Sequence, residues 1–260
     1  MRILIIRHAE PDYEADSLTP KGRREAELLS RRLEKYDIRD CWVSPYGRAR
    51  DTAAYTLEKN GLTAVTLPWL AEFRGTYTDE KGHAAIPWDL PPRSWYTMPL
   101  RAEPDRWADD PRFAGGTVRA VWEETKAGTD ALMARYGFRK DGPVWVGGEN
   151  SDLTIALFCH FGIGMAVLAY LTDVSPMLLW QRTICLPSSV TEVMTEERVK
   201  GEVFFRVTKL GDLSHLEMNG EGRSTYGMYP EVWTGIDSTD PTINGTLPSA
   251  GNTGKEQKSV

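Results

Sequence analysis

Two of the chain's four histidines each follow directly on a short apolar run. His8 comes after Ile3-Leu4-Ile5-Ile6-Arg7, and His160 ends the run from Leu153 to Cys159. An imidazole titrates near neutral pH and can serve as nucleophile, acid or base. Arg7 precedes the first histidine, and Arg48 lies in Ser44-Pro45-Tyr46-Gly47-Arg48-Ala49-Arg50-Asp51-Thr52-Ala53, directly after Cys41-Trp42-Val43. A guanidinium matches the oxygens of a phosphate by parallel hydrogen bonds. Arg7, His8, Arg48 and His160 are therefore a candidate site for one small anion. The competing reading makes each histidine a packed or capping residue at a strand end.

The elements that must position these groups follow from hydrophobic periodicity. Residues 2–7, rich in Ile, predict a buried strand. Thr19-Pro20 supplies an N-cap and a first-turn proline. Ala26, Leu29 and Leu33 then recur at helical spacing, predicting a helix over about 20–35. Cys41–Val43 predicts a second strand, Arg48–Glu58 a helix and Thr63–Leu67 a third strand. This alternation implies a parallel sheet with helices on both faces. Ligands of such sheets bind beyond the carboxyl ends of the strands, where His8 and His160 fall. Arg48 would sit near a helix N-terminus, whose N–H groups favour anions.

Residues 76–115 break the alternation, with six of the 16 prolines and three of the nine tryptophans, Trp88, Trp95 and Trp107. Proline opposes regular elements, and the aromatics oppose a disordered tether. The segment is expected to be a folded insertion. A helix over about 116–137, a strand at 153–159, a helix at 163–171 and strands at 190–194 and 203–207 complete the expected single domain, 1–237. The segment 238–260, poor in apolar residues, is expected to be disordered.

Composition narrows the partners. Lys and Arg number 31 against 37 Asp and Glu, a net charge of −6 over 260 residues. Such a chain has no bulk attraction for nucleic acid or anionic lipid, so an anionic ligand must be drawn by local cations. Ile3–Ile6 is too short for a signal-peptide core, and Phe161–Leu171 is too short for a bilayer, which needs about 20 residues. Three cysteines, Cys41, Cys159 and Cys185, oppose a disulfide framework and suit a reducing compartment. The expectation is a cytoplasmic protein. Neither C-x-x-C nor H-E-x-x-H occurs, and His8-x-Glu10 and His215-x-Glu217 lack partner cysteines. No metal or cofactor is expected.

Leu4-Ile5-Ile6-Arg7-His8-Ala9, Leu18-Thr19-Pro20-Lys21-Gly22, Ser44–Ala53 and Cys159-His160-Phe161-Gly162 together resemble the histidine phosphatase superfamily, the phosphoglycerate-mutase-like fold. They occur in the family's order, over roughly 1–75 and 150–172. The resemblance implies a three-layer α/β/α sandwich with a mostly parallel central sheet and a lid inserted at 76–115. It implies a phosphomonoester hydrolase in which His8 attacks phosphorus and becomes a phosphohistidine. Arg7, Arg48 and His160 would hold the phosphate oxygens, and His160 would share in catalysis. The family's acid follows the third strand, where Glu72 of Leu70-Ala71-Glu72-Phe73-Arg74-Gly75 matches. Glu10 and Glu149 are competitors for that role. Arg74 is either a substrate contact or half of a surface ion pair. Arg93 and Arg101 are candidates for a second anionic group, with solvated charge as the alternative.

The match has departures. Phosphoglycerate mutases place small polar residues after the nucleophile, where this chain has Pro11 and Glu14. That favours a phosphatase over a mutase-type phosphotransferase. A non-catalytic module binding a phosphorylated ligand is a further alternative. A thiol phosphatase needs Cys-x5-Arg, but Cys41 and Arg48 give Cys-x6-Arg. The partner is expected to be a small phosphorylated substrate, with no nucleic acid and no membrane. Oligomeric state is left open.

Overall fold

A computed structural model describes residues 1–148 and 152–228. The expected boundary at 237, the segment 238–260 and Glu149 lie outside the described residues.

β1 (Arg2–Arg7) is buried along nearly its whole length, as its Ile-rich run requires. Two short strands, β2 (Pro11–Asp12) and β3 (Ser17–Leu18), pair as a small ribbon in the loop that follows. α1 (Pro20–Leu33) starts as predicted: the Thr19 hydroxyl accepts the Gly22 N–H, and Pro20 occupies the first turn. Ala26, Leu29 and Leu33 form its buried stripe. β4 (Ile38–Val43), α2 (Gly47–Asn60) and β5 (Ala64–Thr66) continue the alternation. Gly61 ends α2 with φ 63°, a left-handed conformation that glycine adopts freely.

The segment 76–115 holds β6 (Tyr77–Thr78), paired with β7 (Ala84–Ala85), and the short helix α3 (Pro92–Tyr96). Leu90, Trp95, Met98, Trp107 and Phe113 are buried in the same core cluster as Ile3 and Ile155 of the sheet. The insertion is thus packed on the sheet's own core. Trp107 touches Phe73, Trp122 and Trp180, with ring centroids 6.2, 5.5 and 5.3 Å away.

α4 (Val118–Ala134) leads to β8 (Phe138–Asp141) and β9 (Val144–Gly147). This hairpin was not foreseen, although Asp141-Gly142 is a turn signal and Gly142 takes φ 60°. β10 (Thr154–Cys159) and α5 (Phe161–Thr172) match the expected strand and helix. α6 (Pro176–Arg182) is an unforeseen helix capped by Ser175. β11 (Val190–Val199) and β12 (Glu202–Asp212) run well beyond the apolar stretches that announced them, because their distal halves are exposed and polar. α7 (Ser214–Glu217) follows.

The eight-stranded sheet has the order β5-β4-β10-β1-β11-β12-β9-β8. β5, β4, β10 and β1 are parallel, and β11 opens an antiparallel extension. Alternation along β1 sorts the two faces. Ile3 and Ile5 join the core beneath α4 and α5, while Leu4 and Ile6 join Leu29 and Leu33 of α1 and Ala49 and Ala53 of α2. Helices on both faces make the α/β architecture anticipated above.

Placing β10 between β1 and β4 has one consequence for chemistry. The carboxyl ends of all three strands, Arg7, Val43 and Cys159, are adjacent in register: Arg7 pairs with Cys159, and Val43 with Phe158. The three motifs that follow these strands must meet.

Candidate active site

His8, directly after β1, is 2% exposed, and His160, directly after β10, is 1% exposed. Their ring centroids lie 5.1 Å apart. In an ideal strand Arg7 and His8 would face opposite ways, but the ladder stops at this point. The His8 N–H donates to the Cys159 carbonyl at 3.0 Å on one side. On the other, the Arg7 N–H donates to Ser189 O at 3.1 Å and the His8 carbonyl accepts the Ser188 N–H at 3.0 Å. Ser188 has φ 60°, so the backbone turns sharply here. This holds the peptide of His8 from β10 on one side and from the turn before β11 on the other.

Nδ1 of His8 lies 2.8 Å from the Ala9 carbonyl. A carbonyl only accepts, so Nδ1 carries the hydrogen and Nε2 keeps its lone pair. Burial, the Arg7 guanidinium and His160 hold the His8 pKa well below the ordinary imidazole value. The ring is therefore neutral at physiological pH.

The two arginines are anchored in the same manner. Nη1 of Arg7 donates to the Cys185 carbonyl at 2.7 Å, and Nη1 of Arg48 donates to Asp16 Oδ1 at 2.6 Å. In both, the buried Nε has no protein partner. His160 is similar: Nε2 pairs with Ser44 Oγ at 2.7 Å, while its buried Nδ1 has no protein partner. Buried polar groups without partners are uncommon, and three beside one imidazole suit an oxyanion. Burial, with Arg48, Arg7 and Arg74, pulls the His160 pKa down to about 2. With the cations already in place, a further positive charge is unfavourable unless an anion binds.

Glu72 joins from the loop after β5. Its Oε1 accepts the N–H of Phe73 at 2.8 Å and of Ile163, in the first turn of α5, at 2.9 Å. Desolvation of the carboxyl raises its pKa, against the opposing pull of these N–H groups and Arg7. With Oε1 occupied by two donors, Oε2 is the oxygen left to carry a proton. Gly162 makes this approach possible, since a Cβ there would lie 2.7 Å from Glu72 Oε1 and 2.7 Å from the Trp88 ring.

The competitors are engaged elsewhere. Glu10 accepts the Thr19 hydroxyl at 2.8 Å and pairs with Lys21 at 3.9 Å. Arg74 is exposed and stands over the Tyr46 ring at 4.8 Å. Arg101 stacks on Trp95 and Tyr96 within the insertion, and Arg93 is exposed. Glu14 is exposed and Pro11 lies in the small ribbon. The Cys41 thiol is pushed up to about 12 by burial, which opposes a thiolate nucleophile. Of the insertion's three tryptophans, Trp88 alone reaches the Glu72–Gly162 contact, while Trp95 and Trp107 are core.

Several participants were not legible in the sequence. Ser44, one residue of the motif at 44–53, meets His160 Nε2 through its hydroxyl. Thr52 Oγ1 accepts the Ala9 N–H at 2.9 Å and donates to the Arg48 carbonyl at 2.7 Å, tying the loop of His8 to α2. His215 Nε2 meets Ser188 Oγ at 3.1 Å beneath His8. Gly227 packs on the Arg7 guanidinium, where a Cβ would lie 2.9 Å from Nη2. Among the described residues no cluster of three or more His, Cys, Asp or Glu is arranged for a metal, and no helix is long and apolar enough to cross a membrane.

The sequence matches the model of the histidine phosphatase superfamily, branch 1, over residues 3–206. No curated protein sequence matches significantly. Solved structures do. A mycobacterial glucosyl-3-phosphoglycerate phosphatase is 22% identical, with TM-score 0.54, over 81% of this chain and 98% of its own. A phosphoserine phosphatase mutant from Entamoeba histolytica, in complex with phosphoserine, is 16% identical, with TM-score 0.55, over 83% and 98%. A structure described as mycobacterial hydrolase 2 is 23% identical, with TM-score 0.55, over 81% and 90%. At these identities the likeness is one of fold.

Proposed function

The chain belongs to the histidine phosphatase superfamily, and on that premise we propose that it hydrolyses a small phosphomonoester through a phosphohistidine on His8. Nε2 of His8 attacks phosphorus, the ester P–O bond breaks, and Glu72 gives its proton to the leaving oxygen. Glu72, now a carboxylate, takes a proton from water as that water attacks phosphorus. The P–N bond breaks, its electron pair returns to Nε2, and orthophosphate leaves. Arg7, Arg48 and His160 hold the equatorial oxygens and offset their charge in both steps. The reaction calls for no metal or cofactor.

The observation that carries this reading is the Nδ1–H of His8 on the Ala9 carbonyl, which leaves Nε2 as a lone-pair donor beside Arg7, Arg48 and His160, each with a buried nitrogen that has no protein partner. Titration supports it. An active form needs a neutral imidazole and a protonated carboxyl, and burial shifts His8 down and Glu72 up. Pro11 and Glu14 in the loop after His8 favour water over a second sugar or acid hydroxyl as acceptor. The segment 76–115, through Trp88, covers the acid side of the site. We place the protein in the cytoplasm, acting on small molecules without nucleic acid or membrane.

The test is turnover of p-nitrophenyl phosphate by the purified full chain in the presence of EDTA. Release of orthophosphate supports the reading. Phosphate binding without turnover would assign a phospho-ligand-binding module instead.

A further inference from the structure

α2 begins without a cap of its own. Its N-cap residue, Tyr46, makes no side-chain hydrogen bond to the helix. Asp16, 31 residues before Gly47, takes that place: its Oδ2 accepts the Gly47 N–H at 2.7 Å. Its other oxygen accepts Nη1 of Arg48 at 2.6 Å. Each carboxylate oxygen thus holds a different part of the first turn of α2.

The backbone is fitted to this contact. Asp16 takes φ 46°, a left-handed conformation disfavoured for residues with a Cβ. Gly47 faces it so closely that any side chain there would collide with the Asp16 carbonyl oxygen. The same loop grips Arg48 from a second side, with the Tyr13 ring 5.3 Å from the guanidinium carbon. The loop is itself braced. Asp12 Oδ1 accepts the N–H groups of Glu14 and Ala15 at 3.1 Å, and Ser17 Oγ donates to Asp51 of α2 at 2.5 Å. The buried Nε–H of Arg48 has no protein partner.

We infer that Asp16 is a positioning residue for the phosphate site: it pins one end of the Arg48 guanidinium so that the remaining donors are aimed at the phosphate. This rests on the phosphatase reading for what the anion is, and adds a residue that none of the recognised motifs contains. The Asp16 side chain is 46% exposed, so as a mere surface ion pair it would contribute little to stability. Its effect falls on binding. Asp16 touches no reacting atom and acts through Arg48.

The test is a double-mutant cycle read by the inhibition constant of orthophosphate and by calorimetric phosphate binding, which needs no turnover. Asp16→Ala is expected to weaken phosphate about tenfold and to raise KM more than it lowers kcat, with a modest fall in melting temperature from the lost contact to Gly47. Asp16→Asn, which has one acceptor for the two donors, should fall between Ala and wild type. In an Arg48→Ala background, Asp16→Ala should have no further effect on phosphate. An undiminished effect in that background, or unchanged phosphate affinity in Asp16→Ala, would overturn the assignment. A wild-type chain that binds phosphate but turns over no ester would instead overturn the proposed hydrolysis and leave this comparison intact.

Discussion

Glu72 and Ile163 are 91 residues apart, and Oε1 of the first accepts the backbone N–H of the second at 2.9 Å. The contact fixes a carboxyl group at the N-terminus of α5, the helix that directly follows His160. An N-terminus favours the carboxylate, yet burial prevails and the pKa is raised. One oxygen is immobilised by backbone N–H groups, and the raised pKa favours a proton on the other.

Replacing that proton donor should therefore be sensed through the leaving group. Glu72→Gln is expected to lower kcat by roughly 10²–10⁴-fold on alkyl phosphates, whose leaving oxygens need protonation. On p-nitrophenyl phosphate the loss should be roughly tenfold or less, since that phenolate departs unaided. Steady-state rates across a series of leaving-group pKa values check this. Equal losses throughout would assign Glu72 a structural task.

His8→Ala should abolish turnover by more than about a thousandfold. It should also remove the acid-labile phosphoenzyme trapped by rapid quench with labelled ester. Labelling retained in the variant would place the nucleophile elsewhere.

The pH dependence follows from the two shifts. His8 must be neutral, and its lowered pKa keeps it so well below the ordinary imidazole range. Glu72 must be protonated, and its raised pKa preserves the acid above the usual carboxylate range. The kcat/KM profile should peak on the acid side, rise through the His8 pKa and fall as pH climbs through that of Glu72. Glu72→Gln should remove the alkaline limb on activated esters. A limb that persists belongs to another group.

Gly162→Ala should push a methyl group into Glu72 and Trp88. Overpacking of this kind costs about 1–3 kcal/mol. Activity on alkyl phosphates should fall further than urea denaturation alone explains, because the acid is displaced. A folded variant with wild-type kcat would show that Glu72 tolerates the shift.

Glu25 predicts a pH effect on stability unconnected with turnover. It is fully buried in α1, and Oε2 accepts the Glu10 N–H at 2.8 Å while Oε1 has no partner. Burial raises its pKa from 4.5 to about 8. Between those values the folded state binds the proton that the unfolded state has lost, so stability declines as pH rises through that window. At about 1.4 kcal/mol per pKa unit, the decline amounts to several kcal/mol. Glu25→Gln should flatten it and gain stability at pH 8.5 relative to pH 5, measured by urea unfolding. An unchanged slope would refute the burial argument.

Local pattern told most about this protein where the structure is local. The Ile-rich run at 3–6, the Thr19-Pro20 start of α1 and the alternation up to β5 are visible because side-chain period and capping chemistry act over a few residues. Arg7, His8, Arg48 and His160 were legible for the same reason, each being tied to the end of a strand or the start of a helix. Sheet order is not local. That β10 lies between β1 and β4, bringing His160 against His8, depends on pairings between residues more than a hundred positions apart. Only once the strands are placed does Glu72 meet α5, Ser188 brace the His8 carbonyl, or Asp16 reach Arg48. The proton on Nδ1 of His8 is likewise a tertiary fact, because it answers to where a carbonyl oxygen stands and not to which residue carries it.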